Sequence, residues 1–291
     1  MISLFAGKGG VGKTTCAAAS ALHHASLGER TLVISTDATP SLLHIFEISD
    51  KSKPAKAQES LYINELGFQE VREMWDEKFG REVYEVFSSF VSIEYEDFLE
   101  FMVSLLPGLF DEFIVNYIRE LHVTSHYETV IWDTAPLGQT LALLQTPMLL
   151  MRHLRMAPRI YSKLRRGQEK KESLTGIIKR WQELSEANMD FLRNQVSFTM
   201  VTIPEALAVQ QLDAVLSELA KFGLIVKQLI VNNVVSAPDS EFLMARAKEQ
   251  SKYLKQIHDK FGYMKITELP MFPHELKGLK RLKEAEDALF Q

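Results

Sequence analysis

The chain reads as an α/β protein: a doubly wound, mostly parallel sheet of about seven strands with an inserted α-helical lobe. Three observations predict this. Runs of β-branched and apolar residues recur along all 291 residues. They are continuous rather than alternating, as strands buried on both faces of a parallel sheet should be. Helical stretches separate them, giving βαβ order, and two of the spacings are too long for a simple crossover. With 46% hydrophobic and 24% charged residues, one domain over residues 1–291 has ample material for a core.

The first expected strand, Ile2–Ala6, runs straight into Gly7-Lys8-Gly9-Gly10-Val11-Gly12-Lys13-Thr14-Thr15. Gly7, Gly12, Lys13 and Thr14 satisfy the pattern G-x-x-x-x-G-K-[ST], a phosphate-binding loop. Its glycines let the backbone turn its N–H groups inward to an anion; Lys13 then reaches the β and γ phosphates and the Thr14 hydroxyl ligates Mg²⁺. An Ala-rich helix from about Lys13 adds its positive end to the same site. The nucleotide is expected to touch residues 7–15 throughout, Gly9, Gly10, Val11 and Thr15 included.

The second strand, Thr31–Thr36, delivers Asp37 at its end. An aspartate there can orient or deprotonate an attacking water, or form a turn with Pro40-Ser41. Leu61–Asn64 is the third strand. Two amphipathic helices should follow. In the first, Val83, Val86, Phe87, Phe90, Phe98, Phe101, Met102 and Leu105 recur at helical spacing until Pro107-Gly108. The second runs through Phe110, Phe113, Ile114, Tyr117, Ile118 and Leu121. The fourth strand, Thr129–Trp132, ends in Asp133-Thr134-Ala135-Pro136. That aspartate can hold Mg²⁺, directly or through water, or cap the next helix.

A further helical block precedes the strand Val196–Ile203, so the lobe is expected at about 66–125 and 147–193. The first segment holds 13 acidic and 4 basic residues, net −9, and the second 11 basic and 5 acidic, net +6. These are surfaces that attract each other, that face different partners, or that are simply solvated. Strands Lys227–Asn232 and Lys265–Leu269 follow. A last, half-basic helix within 274–290 could be a membrane-targeting tail, but its narrow apolar face (Leu276, Leu279, Leu282, Ala285, Leu289) should pack on the body.

Lys8 narrows the class. The pattern K-G-G-x-G-K-[ST] resembles the deviant phosphate-loop ATPases. That resemblance implies that Lys8 crosses a dimer interface to the other subunit's nucleotide and acts as an arginine finger does; a solvated loop lysine is the other reading. Five further strings resemble, in order and from end to end, the arsenite-pump and tail-anchored-protein targeting ATPase family. They are Ile34-Ser35-Thr36-Asp37, Asp133-Thr134-Ala135-Pro136-Leu137-Gly138-Gln139-Thr140-Leu141, Thr202-Ile203-Pro204-Glu205, Val231-Asn232-Asn233, and Leu269-Pro270 with Glu275-Leu276-Lys277-Gly278.

The resemblance implies ATP and Mg²⁺ as cofactors and a homodimer on ATP binding. It implies Lys8, Lys13 and Asp37 as catalytic groups, Thr14 and Asp133 as metal ligands, Asn232 as the adenine-reading amide and Pro270 as a wall for the base. An amide can donate to and accept from an adenine edge at once. Ala38-Thr39-Pro40 and Gln139 depart from the family, which has histidines in the corresponding switch strings. The family's zinc Cys-x-x-Cys and metalloid cysteines are absent too, since Cys16 is the one cysteine; this looks like a zinc-less, single-copy form.

The implied partner is a hydrophobic transmembrane helix or a membrane protein. Six of the 11 methionines (Met74, Met102, Met148, Met151, Met156, Met189) fall in or beside the lobe segments, where they would line an adaptable groove or fill the lobe's core. The alternatives are the ATPase subunit of an anion or metalloid exporter and a partition-type ATPase that assembles on a surface. The net charge of −5 gives no footing for nucleic acid. No apolar run approaches the roughly 20 residues that span a bilayer, and the loop begins too early for a signal peptide; a cytoplasmic location is expected.

Overall fold

Eight strands form one sheet: β1 (Ile2–Gly7), β2 (Thr31–Ser35), β3 (Ala55–Gln58), β4 (Leu61–Glu65), β5 (Thr129–Asp133), β6 (Val196–Thr202), β7 (Val226–Val234) and β8 (Lys265–Pro270). Their spatial order is β3-β4-β2-β5-β1-β6-β7-β8. The computed structural model describes residues 1–37, 39–50, 52–88, 91–105, 109–164 and 171–291. Ala38, Phe90 and the expected helix stop at Pro107-Gly108 lie outside them, as do the side chains of Val86, Leu105, Phe110 and Met156.

All neighbouring strands are parallel except β3 and β4, which pair antiparallel. The eighth strand, β3, is the one that hydrophobic patterning misses. Ala55-Lys56-Ala57-Gln58 has neither β-branched residues nor an apolar run, and at the edge only one of its sides is paired. The central strands β2 and β5 are buried at every residue, whereas β8 at the other edge buries Leu269 alone.

The chain leaves β1 towards β2 on one side, and β6 leads to β7 and β8 on the other. This reversal opens a crevice at the carboxyl ends of the strands, where doubly wound sheets bind ligands. Helix α1 (Lys13–Ser26) starts there at Gly12, whose φ of 93° lies in the left-handed region.

Cys16, Ala17, Ala18, Ala19 and Ala21 on α1 have 0% exposure. Their small side chains let α1 lie close to the sheet. The strands meet it with Val33, Ile131 and Val201, and Leu282, Ala285 and Leu289 of the last helix, Gly278–Leu289, close the same core. The His23 ring stacks on Phe290 at 3.8 Å between centroids. Its Nδ1 lies 3.3 Å from the buried Glu286 carboxylate, to which Lys283 donates at 2.7 Å.

The chain divides into two compact units, one of Met1–Gly67, Thr124–Thr140 and Gln195–Gln291, the other of Phe68–Val123 and Leu141–Asn194. The second unit is helical. The single long helix expected through Val83–Leu105 is instead two, Arg81–Ser88 and Tyr95–Leu105. The apolar spacing runs on across the break, but Glu94 caps a new start: its carbonyl accepts from the Phe98 N–H at 2.9 Å. Tyr84 donates to the Ile93 carbonyl at 2.9 Å, tying the first helix to the residues just ahead of the second. Phe98 then meets Tyr84 and Phe87 at 5.3 and 5.5 Å.

The oppositely charged segments do pair within this unit, Arg180 with Glu82. Arg180 is 61% exposed, so this ion pair contributes little to stability. Met102 and Met189 are buried, while Met74, Met148 and Met151 are half-buried.

Removing the Leu282 side chain would leave a cavity against the alanines of α1. Leu282→Ala should therefore lower the unfolding free energy by about 2–5 kcal/mol, read as a lower urea midpoint. A change below about 0.5 kcal/mol would place the last helix outside the cooperative core.

Candidate functional site

Parallel register assembles the site from three strand ends in the first unit. Phe5 of β1 pairs with Asp133 of β5, and Ser35 of β2 pairs with the same Asp133. The loop after β1 thus lies beside the ends of both strands. A Cβ at Gly7 would overlap the Val201 carbonyl oxygen, and one at Gly12 would overlap the Asn232 amide nitrogen. Close approach of the Val201 backbone requires glycine at position 7, and the φ of 93° requires it at position 12.

Lys13 is only 6% exposed, and its Nζ donates to the Lys8 carbonyl oxygen at 3.3 Å. Burial lowers its pKa; Asp133 and, more weakly, Asp37 act in the opposite sense. Thr14 and Thr15 are half-buried in the first turn of α1, and Gly9 and Gly10 are exposed at the rim with Lys8. The Lys8 ammonium has no hydrogen-bond or ion-pair partner among the described residues.

Asp133 is 1% exposed. Burial pushes its carboxyl up to about 7, against hydrogen bonds from Thr14 and Ser35 and the charge of Lys13. Ser35 Oγ donates to Oδ2 at 3.3 Å, while Oδ1 is buried with no partner among the described residues. Among the described residues, no N–H of the following helix bonds this carboxylate. An unsatisfied carboxylate oxygen beside a threonine hydroxyl fits a hard divalent cation, and the anion cradle next to it fits a nucleotide phosphate.

Asp37 is half-buried, and its Oδ1 accepts from the Thr39 N–H at 3.0 Å and from the Thr39 hydroxyl at 3.2 Å. This is the turn-forming use of an aspartate, with Thr39 rather than Pro40-Ser41 as its partner. Ser35 Oγ also accepts the Asp37 N–H at 3.3 Å. One buried hydroxyl therefore joins the ends of β2 and β5.

Asn232 is buried on β7 and donates from Nδ2 to the Val11 carbonyl at 2.9 Å. Pro270 ends β8 opposite Val234. Lys13, Thr14, Asp37 and Asp133 thus converge, Asn232 touches the loop itself, and Lys8 stands out at the rim.

Sequence reasoning missed Ser35, whose string was noticed only for its aspartate. It also missed a hydroxyl pair. Thr134 donates to the Phe5 carbonyl at 2.7 Å, and Thr140 Oγ1 lies 2.9 Å from Thr134 Oγ1 and 2.6 Å from the Ala135 carbonyl. Buried threonines flanking Pro136-Leu137-Gly138 were the available signal. Cys16 is fully buried, its thiol pushed up to about 12 first by burial and then by Asp133, which leaves it unreactive.

A family model described as anion-transporting ATPase matches residues 1–291. The chain is 28% identical to a protein of Aquifex aeolicus (strain VF5) named as an arsenical pump-driving ATPase, over 97% of each chain. It is 28% identical to ATPase GET3A of Arabidopsis thaliana over 95% of this chain and 80% of that one. With ATPase get3 of Neurospora crassa the identity is 26%, over 97% and 88%.

The raised Asp133 carboxyl carries a stability signature. Its folded pKa, about 7, exceeds the ordinary 3.8. The folded chain therefore holds a proton that the unfolded chain has released. This contribution is complete below about pH 4 and is lost as the pH climbs through 7, at up to about 1.4 kcal/mol per pH unit. In nucleotide-free protein, Asp133→Asn should flatten the fall in urea midpoint between pH 5 and pH 8, and Mg²⁺ should reduce the wild-type fall. Parallel pH profiles for the two proteins would refute the burial argument.

Proposed function

The chain belongs to the anion-transporting ATPase family and is an ATPase, and we propose that it works as a dimeric, Mg²⁺-dependent ATP switch coupled to a hydrophobic helix or membrane partner. The observation that carries this reading is the buried meeting of Lys13, the Thr14 hydroxyl and Asp133 at the start of α1. Loop N–H groups and the positive end of α1 receive the phosphates. Lys13 sits on the β and γ oxygens, where its charge, kept out of water, acts strongly.

Thr14 and Asp133 would hold Mg²⁺, which supplies further positive charge to the transferring phosphoryl group. Asp37 orients the attacking water or takes its proton, and to do so it exchanges its Thr39 contacts for the water. Lys8, exposed and without a side-chain partner among the described residues, acts across the dimer on the partner's nucleotide. Asn232 and Pro270 meet the base.

The client reading rests on the helical unit. With Met102 and Met189 in its core, the contact surface falls to Met148 and Met151, half-buried, and Leu149, 43% exposed, on the helix Leu137–Leu164. No helix among the described residues is itself long and apolar enough to cross a membrane. A second reading, the ATPase subunit of an anion exporter, is favoured by the family's description and by the name of the Aquifex relative.

Asp37→Asn should keep ATP affinity while losing about 10²–10⁴ in turnover. Held in its ATP state, this variant should capture a transmembrane peptide in a fluorescence-anisotropy assay. Turnover within threefold of wild type would remove Asp37 from the chemistry. A trapped form that ignores the peptide would favour the exporter. Lys8→Ala should spare nucleotide affinity and lower turnover, by up to about 10³–10⁵ for a cation acting in trans. Mixing Lys8→Ala with Asp37→Asn should restore part of the activity if the lysine serves the other subunit; an ATP-bound monomer by light scattering, with no complementation, would end the dimer mechanism.

A further inference from the structure

Two side-chain amides act at the corner behind the phosphate loop, Asn232 on the loop itself and Gln250 on the backbone that follows Asn232. Asn232 donates from Nδ2 to the Val11 carbonyl at 2.9 Å. The Val11–Gly12 peptide is trans, since the cis bond among the described residues is Lys53–Pro54. In a trans peptide the N–H points opposite to the C=O. With the Val11 carbonyl drawn to Asn232, the Gly12 N–H faces away from that amide. Gly12 has φ 93° and no Cβ, so rotation of this peptide meets little steric resistance. The Asn232 bond is what selects its orientation.

The second amide holds the first in place. Asn233, next in the chain, has φ 59°, and the β7–β8 register shifts between Val231 and Val234. The sheet ladder alone therefore does not fix this corner. Gln250, 3% exposed on the helix Glu241–Phe261, supplies the missing bonds. Its Nε2 donates to the Asn233 carbonyl at 2.9 Å and its Oε1 accepts the Val235 N–H at 2.8 Å.

We infer that Asn232 and Gln250 are positioning residues of the phosphate loop: a two-amide strut that keeps the Gly12 N–H, rather than the Val11 carbonyl oxygen, turned to the bound anion. A carbonyl swung into the cradle would set a negative dipole against the phosphate and remove a donor from it. This rests on reading residues 7–15 as a phosphate site, and it gives Asn232 a task that does not depend on any base.

Inorganic pyrophosphate, which has no base, isolates that task. Titrated calorimetrically into the full chain, it should bind Asn232→Ala about tenfold more weakly than wild type, the scale of one hydrogen bond to a charged environment. It should bind Gln250→Met about threefold more weakly. Gln250→Glu should not restore affinity, because a carboxylate keeps the acceptor for Val235 but sets a negative oxygen against the Asn233 carbonyl.

The Gly12 amide proton resonance should move downfield on pyrophosphate addition in wild type and much less in Asn232→Ala, a readout that lowered stability alone would not change. Pyrophosphate affinity within twofold of wild type in a folded Asn232→Ala chain overturns the strut. If that variant then loses ADP affinity alone, Asn232 reads the base only. Wild-type protein that binds neither pyrophosphate nor ADP would instead overturn the phosphate-site reading beneath it.

Discussion

Asp133 is a carboxylate kept from water at the junction of three chain segments, and the geometry of the site depends on satisfying it. A buried ionised carboxylate is costly unless charges and donors compensate it. Lys13 supplies the charge, and Thr14 and Ser35 supply donors. Those groups come from the loop, the first turn of α1 and the end of β2, so compensating one carboxylate aligns all three. Parallel register makes this possible, because β1 and β2 both flank β5. One oxygen has no partner among the described residues even so, and the group remains easier to protonate than a surface aspartate.

Much of this was legible beforehand, for physical reasons. Central strands buried on both faces must be apolar throughout, so Thr31–Ser35 and Thr129–Asp133 announce themselves. The loop announces itself too, because phosphate binding demands glycine and lysine at fixed spacing. β3 does not, since a paired edge tolerates Lys56 and Gln58. Apolar periodicity likewise persists across the break between Ser88 and Tyr95, where only the Glu94 start and the Tyr84 bond reveal two helices. The contacts of Asn232 with Val11 and of Gln250 with the β7 corner span 221 and 15–17 residues. No local pattern encodes them. Asp37 shows the converse: both of its uses could be foreseen, and the structure displays the turn.

The helical unit obeys different rules from the sheet unit. Its aromatic residues meet edge to face and at tilted angles around Phe98, Tyr84 and Phe87, a packing mode in which ring quadrupoles favour offset contacts. Among the described residues, Arg119 links Asn116 and Asn188 at 3.0 and 2.8 Å, so this unit carries a polar seam as well. Met102 and Met189 pack inside this unit, while Met148 and Met151 on the Leu137–Leu164 helix keep some surface.

The helix that bears Lys13 and Thr14 is covered by residues far from it in sequence. His23 and Glu286 are 263 positions apart, and the alanine face of α1 stays open until Leu282, Ala285 and Leu289 arrive. During synthesis the phosphate loop and α1 therefore exist long before the residues that seal that helix have been made. Contacts of such long sequence separation form slowly, and exposed apolar surface on a growing chain invites misassociation. Throughout that interval the alanine face of α1 is apolar surface without its cover.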